Sequence, residues 1–256
     1  RDNGLAAVLY APATVTAKVG VSRSDGLPDG CAARPDGPDT VGGVEVTWVE
    51  ETGYPESEDI NFLLASLSQE QARFTLYLRI PQWCSQATVR INDFPSPPPV
   101  EVGGGGKWVA LTRDWRQGDR VRLHLPMPVT VRRWEKNRRA VSLYRGPLAF
   151  SLAIMERWER YGGNDDFPCY EVFPAAPWNY GLLVEKGVEV ESSPLCLKVR
   201  ARRIPGWQQE DNGLIGEVPE SPIDPSAVET PEETVTLIPM GRARLRVSVF
   251  PEISGS

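Results

Sequence analysis

The side chains able to do chemistry in this sequence are few and scattered. Four cysteines, Cys31, Cys84, Cys169 and Cys196, stand far apart in a chain of 256 residues, without a C-x-x-C pair, and His124 is the single histidine. A structural zinc site takes four Cys or His ligands, usually in close pairs, so this spacing argues against one. Cysteine–histidine catalysis needs the two side chains to meet in space, and one histidine leaves few ways to arrange that. His124 alternates with Val121, Leu123 and Leu125, which puts it on the solvent face of a strand. Cys196 precedes the alternating Leu197, Val199 and Ala201 and reads as a packing residue. No cofactor and no metal are expected in this chain.

Carboxylates are plentiful, 34 in all, and Glu156, Glu159, Asp165, Asp166 and Glu171 lie close together in sequence among aromatic residues. Hydrolysis of a glycosidic bond would need two carboxyls roughly 5–10 Å apart, one of them with a raised pKa. Acidic clusters are more commonly solvated, which ranks an autonomous two-carboxylate hydrolase last. Aromatic rings offer a different chemistry, because the apolar faces of sugars stack on them. Trp158, Tyr161, Trp178, Tyr180 and Trp207 are the candidates for such a surface, and the alternative is that they fill a core or an interface. Gly103 to Gly106 precede Lys107 without the Ser/Thr or upstream glycine of a phosphate loop. Arginine pairs occur at Arg132-Arg133, Arg138-Arg139 and Arg202-Arg203, yet the formal charge is −6, so no basic stripe for nucleic acid is present.

The elements that must position these residues are strands. The 23 glycines and 24 prolines disfavour long helices, while 41% hydrophobic residues with eight Trp can bury a core. No run of 18 apolar residues is present, so no membrane-spanning helix is expected. Period-two alternation dominates: Phe74, Leu76, Leu78 and Ile80 face one way while Arg73, Thr75, Tyr77 and Arg79 face the other. Val44–Trp48, Ala87–Ile91 and Ala243–Val249 repeat the pattern. Weaker strands are expected at 7–10, 14–19, 60–64, 108–111, 129–131, 140–144, 148–153 and 235–238. Only Met155–Tyr161 offers a helix-like turn, too short to stand alone. Residues 20–43, 95–106 and 208–233 read as long loops. The class is all-β, with two packed antiparallel β-sandwich (jelly-roll-like) units, 1–137 and 138–256. The change of rhythm at Trp134–Arg139 sets the boundary. Two I-P-x-W runs, ending in Trp83 and Trp207, are expected to anchor their units, since proline ends the strand and lets the indole fold back.

Several runs together resemble the C-terminal part of glycoside hydrolase family 127, the β-L-arabinofuranosidase-like proteins. They are NGLAAVLYAP (3–12), ETGYP (51–55), LYLRIPQWC (76–84), WRQGDRVRLHLPMPV (115–129), LYRGPLAFSL (143–152), PWNYGL (177–182), KVRARRIPGW (198–207) and TLIPMG with RLRVSVFP (236–251). Their order and spacing across nearly the whole chain carry the resemblance. Gln82, where glycine is expected, and the loops at 20–43 and 95–106 depart from it.

The resemblance implies an (α/α)6 catalytic barrel ahead of β-sandwich domains, with a cysteine nucleophile held as a thiolate on zinc by further cysteines and a glutamate. Zinc would matter because a free cysteine forms little thiolate at neutral pH. None of Cys31, Cys84, Cys169 or Cys196 matches the adjacent-cysteine motif, so no catalytic residue carries over. The chain begins Arg1-Asp2-Asn3 without methionine, which reads as a cut edge. The expectation is a non-catalytic sandwich portion of a bacterial carbohydrate-metabolising enzyme acting on plant-type arabinose-containing glycans, inactive alone. Zinc would sit in the missing barrel. Its partners would be that barrel, carbohydrate and a second copy in a homodimer, with no nucleic acid and no membrane. A soluble, cytoplasmic setting is favoured. The alternative is a stand-alone carbohydrate-binding module.

Overall fold

The computed structural model describes residues 3–20, 43–92, 100–209 and 216–255. The fold is all-β, and its contacts divide into two compact units, Arg1–Met127 and Pro128–Ser256.

The first unit contains β1 (Leu5–Ala7), β2 (Ala13–Val19), β3 (Val44–Thr52), β4 (Asp59–Leu67), β5 (Ala72–Ile80), β6 (Gln86–Ile91), β7 (Val100–Gly103), β8 (Lys107–Trp115) and β9 (Arg120–His124). They form a three-stranded sheet, β1-β5-β8, and a six-stranded antiparallel sheet, β2-β3-β4-β9-β6-β7. One face of each strand is apolar because side chains alternate along it, so two sheets laid face to face bury one set from each. Phe74, Leu76, Leu78 and Ile80 of β5 are buried together with Val46, Trp48, Ile60, Leu64, Val89 and Leu123 from the larger sheet. Trp115, fully buried, donates its indole N–H to the Phe74 carbonyl at 3.0 Å and meets Trp48 edge to face at 5.3 Å.

The second unit contains β10 (Val129–Trp134), β11 (Ala140–Arg145), β12 (Leu148–Leu152), β13 (Glu156–Gly163), β14 (Pro168–Pro174), β15 (Tyr180–Leu182), β16 (Val188–Ser192), β17 (Leu195–Arg203) and β18 (Glu232–Pro239). Seven strands make one sheet, in the order β10-β11-β12-β18-β17-β15, with β16 also on β17. β13 and β14 form a separate hairpin. Its core includes Leu143, Phe150, Leu182, Leu197, Leu237 and Phe250. The final segment carries isolated bridges from Phe250 to Val141 and from Glu252 to Leu182, linking β11 to the β15 edge.

Several expectations change on folding. The contact division falls between Met127 and Pro128 rather than at residue 137, because β10 pairs with β11 from Val129↔Arg145 to Trp134↔Ala140 and so belongs to the second unit. The expected strand at Ala243–Val249 is not one. The alternation does bury Ala243 and Val247, but the Val247 carbonyl bonds the Leu152 N–H and the Ser151 hydroxyl instead of forming a ladder. Met155–Tyr161 is not a helical turn: β13 pairs with β14, where Trp158 faces Val172 and meets Tyr170 edge to face. Cross-strand pairs of aromatic and β-branched residues stabilise that arrangement, whereas a single isolated turn has nothing to hold it. Within the expected loop at 95–106, residues 100–103 form β7. The expected loop at 20–43 lies, except for its ends, outside the described residues, as does Cys31.

Candidate functional site

β14 ends at Pro174, and the run Ala175-Ala176-Pro177 carries the chain to Trp178 and into β15. β17 ends nearby in Ile204-Pro205-Gly206-Trp207. Proline cannot continue a ladder, so the chain turns, and the Trp207 N–H closes on the Ile204 carbonyl at 3.0 Å. Asn179, buried between the two segments, holds them together. Its Nδ2 donates to the carbonyls of Ile204 and Trp207, both at 2.9 Å, and its Oδ1 accepts from Arg203 Nε at 3.3 Å. The Trp207 indole N–H donates to the Gly216 carbonyl at 3.0 Å. Trp207 is 4% exposed, while Trp178 is half-buried against it with ring centroids 5.3 Å apart.

Trp178 stands between two cavities. One, of about 320 Å³, is mainly apolar and bounded by Ile154, Val172, Phe173, Leu245 and Val247, with Arg246 and Gln209 at its edge. The other, of about 480 Å³, is lined by Pro174–Asn179, Arg203, Pro205 and Trp207–Gln209. An indole beside guanidinium and amide donors is a surface on which a sugar ring can stack and be hydrogen-bonded. No described carboxylate lines either cavity, so the described residues supply no acid–base pair there.

The five aromatic candidates therefore separate. Tyr180 (7% exposed) and Trp207 are core residues, and burial pushes the Tyr180 hydroxyl pKa up, with Glu233 adding to it. Tyr180 lines neither cavity, and Trp207 borders the larger one with almost none of its surface exposed. Trp158 and Tyr161 are exposed on the β13–β14 hairpin, and Trp158 carries Arg244 over its ring at 5.0 Å. Only Trp178 lines a cavity while partly open to solvent. The carboxylates of the acidic run lie on the same hairpin. Glu159 faces Glu171 across the strands, Asp165 is solvated and paired with Arg160, and Glu156 pairs with Arg244.

The described cysteines are separated from one another. Cys84 is buried, its thiol pushed up by burial, and donates to the Gln86 carbonyl. Cys196 is buried beside Glu191, and burial first and that carboxylate second push its thiol up as well. Cys169 is exposed on β14. His124 does point away from the core, where its Nδ1 lies 2.9 Å from Asp59 and its Nε2 3.7 Å from Glu58. The hydrogen bond from Arg122 is the main reason the Asp59 carboxyl sits below its usual range. Among the described residues, no three His, Cys, Asp or Glu side chains gather into a metal site. The thiolate–zinc centre that the family resemblance implies does not fit them.

One residue that the sequence reading passed over is Glu50, which the alternation of Val44, Val46 and Trp48, extended by two residues along β3, places on the same inner face. Its carboxyl lies between the sheets of the first unit, lines a separate cavity of about 220 Å³, and burial raises its pKa to about 7.

Residues 39–127 match the family described as Beta-L-arabinofuranosidase, GH127 middle domain. Among solved structures, the chain is similar to Ara127N-Se, a GH127 beta-L-arabinofuranosidase from Geobacillus stearothermophilus T6, at 21% identity and a TM-score of 0.59. That match covers 100% of this chain and 34% of that one. It is also similar to a GH127 beta-arabinofuranosidase, BT3674 (17%, TM-score 0.59, 99% and 36%), and to a structure described as a glycoside hydrolase (21%, TM-score 0.55, 98% and 36%). The chain thus spans about a third of the length of the structures it matches. The curated proteins hold no match.

Proposed function

We propose that this chain is the non-catalytic β-sandwich portion of a β-L-arabinofuranosidase-like glycoside hydrolase, bracing a catalytic barrel supplied by other sequence and contributing to a dimer. The observation that carries the reading is coverage: nearly all of the chain, both units included, aligns with about a third of glycosidase structures. The scattered cysteines support it, since the chain holds no adjacent pair to bind a metal-held thiolate. Zinc and the nucleophile belong, in this reading, to the barrel, and the substrate is an arabinose-containing glycan of plant type. Mass spectrometry of the native polypeptide tests it, paired with hydrolysis of an aryl β-L-arabinofuranoside. The expected result is a polypeptide much longer than the 28.3 kDa chain, active where this chain alone is inert. A native product that starts at Arg1 overturns the reading.

Trp178 favours a second reading, a stand-alone carbohydrate-binding surface. Its ring borders two cavities with Arg203 and Gln208 close by. Isothermal titration of the chain with arabinan oligosaccharides decides this one: heat that Trp178→Ala removes supports it, and no heat rejects it.

A further inference from the structure

The first unit has an open groove of about 220 Å³ on the inner face of its larger sheet. β1 and the adjoining residues to Ala11 wall one side, and Ala13, Val15, Trp48 and Phe62 wall the other. The walls are apolar except at Glu50. Around the rim, Val8, Leu9 and Val15 are 50%, 79% and 49% exposed, a run of apolar surface that an isolated domain gains nothing by showing to water.

Glu50 sits in this groove half-buried and, among the described residues, without a cation. One carboxylate oxygen accepts the Ala11 N–H at 3.0 Å, and no described Lys or Arg forms an ion pair with it. The nearby titratable and charged groups are committed elsewhere. Tyr10 donates its hydroxyl to the Arg79 carbonyl at 2.5 Å, Tyr54 packs edge to face on Tyr10, and the Arg79 guanidinium reaches the Val8 carbonyl at 3.5 Å. A carboxylate that loses part of its water to apolar walls favours a counter-charge.

We propose that the groove beside Glu50 receives a lysine or arginine side chain, carried on an apolar segment of the catalytic domain that the proposed function sets beside this chain. The inference rests on that function and names the chemistry of the contact. Charge complementarity selects the occupant. An apolar side chain would bury the carboxylate uncompensated, and an acidic one would repel it. A long basic side chain lays its methylenes along Leu5, Leu9 and Val15 and brings its cation to Glu50. Burial raises the free carboxyl to about 7, which is the condition such a cation would relieve.

The experiment uses the 256-residue chain with n-pentylammonium and n-pentanol as probes, followed by NMR shift titration at pH 7.5. The ammonium is expected to bind about tenfold more tightly than the alcohol, the order of one partly buried ion pair. Glu50→Gln should erase that preference, keep the alcohol's weak binding and leave the circular dichroism spectrum unchanged. Equal binding of the two probes, no binding of the ammonium, or a preference that survives in Glu50→Gln overturns the proposal. In the longer native polypeptide the groove should be filled and the ammonium excluded. If that polypeptide binds it as well as the isolated chain does, the occupant is wrong even where the glycosidase activity is established. A native polypeptide that starts at Arg1 removes the premise by mass alone, independently of probe binding.

Discussion

Trp178 and Trp207 meet edge to face, their ring centroids 5.3 Å apart at an interplanar angle of 76°. One ring is buried and the other half-open, so the buried one serves as the seat of the exposed one. Asn179 holds both segments in place through its two donated hydrogen bonds. This small assembly turns the end of an I-P-x-W run into a fixed aromatic platform.

Truncating the seat should cost more than truncating the platform. Trp207→Ala is expected to destabilise the second unit by about 3–5 kcal/mol, the usual loss for a buried Trp. Trp178→Ala should cost about 1–2 kcal/mol, because its ring leaves less area out of water. Urea unfolding followed by tryptophan fluorescence measures both, and equal losses would show that the burial difference has no energetic weight.

The glycine run before Lys107 is needed at Gly105 for space. A Cβ there would press on the carbonyl oxygens of Pro81 and Gln82, in the turn that carries Trp83. Both are backbone atoms, which cannot swing aside. Gly104 and Gly106 have φ of +77° and +78°, a region that side chains disfavour. Gly105→Ala should therefore lower stability by about 1–3 kcal/mol. Thermal unfolding checks it, and an unchanged melting temperature would mean that the turn relaxes freely.

Arg133 reaches Glu252 through two hydrogen bonds, at 2.8 and 2.5 Å, and the Glu252 side chain is only 8% exposed. Arg133→Met would leave that carboxylate without its counter-charge. The expected cost is about 1–3 kcal/mol, reduced by the solvent reaching the 42% exposed arginine. Pairing it with Glu252→Leu should recover part of the loss, since no charge is then stranded. A double variant no better than the single one would contradict that account.

Glu50 and Glu232 should pull stability in opposite directions with pH. The Glu50 carboxyl is raised from 4.5 to about 7. Its burial is harmless below 4.5 and grows costly as pH climbs to 7, so Glu50→Gln should match the parent at pH 4 and exceed it by about 1 kcal/mol at pH 8, a figure discounted for solvent screening. The Glu232 carboxyl is lowered to about 2, with Lys186 Nζ at 2.9 Å and Arg200 Nε at 2.7 Å. Its contribution is present above 4.5 and fades as pH falls toward 2, so Glu232→Gln should be the weaker protein at pH 6 but equal near pH 2. Denaturation midpoints across pH 2–8 read both signs.

Alternation alone identified Phe74, Leu76, Leu78 and Ile80 as one buried face, and all four are buried. Period-two burial is a local property: the side-chain direction flips at every residue, so the pattern survives in one dimension. The same signal misled at Ala243–Val249. There alternate burial exists without a ladder, because burial and strand pairing are separate consequences of packing.

The sequence by itself determined the all-β class, the apolar faces and the dispersal of cysteine. It also held both I-P-x-W turns, but could not tell that Trp207 is buried while Trp83 is only half so. Tertiary structure decided which aromatic rings were left open. Trp178, Tyr180 and Trp207 are all aromatic, yet the segments pinned by Asn179 bury two of them and leave one partly open to solvent. It also decided that Glu50, one acid among 34, stands beside an apolar groove with no described cation paired to it. Exposure and counter-charge depend on what the fold brings alongside a residue, and for Glu50 those neighbours come from strands distant in the chain.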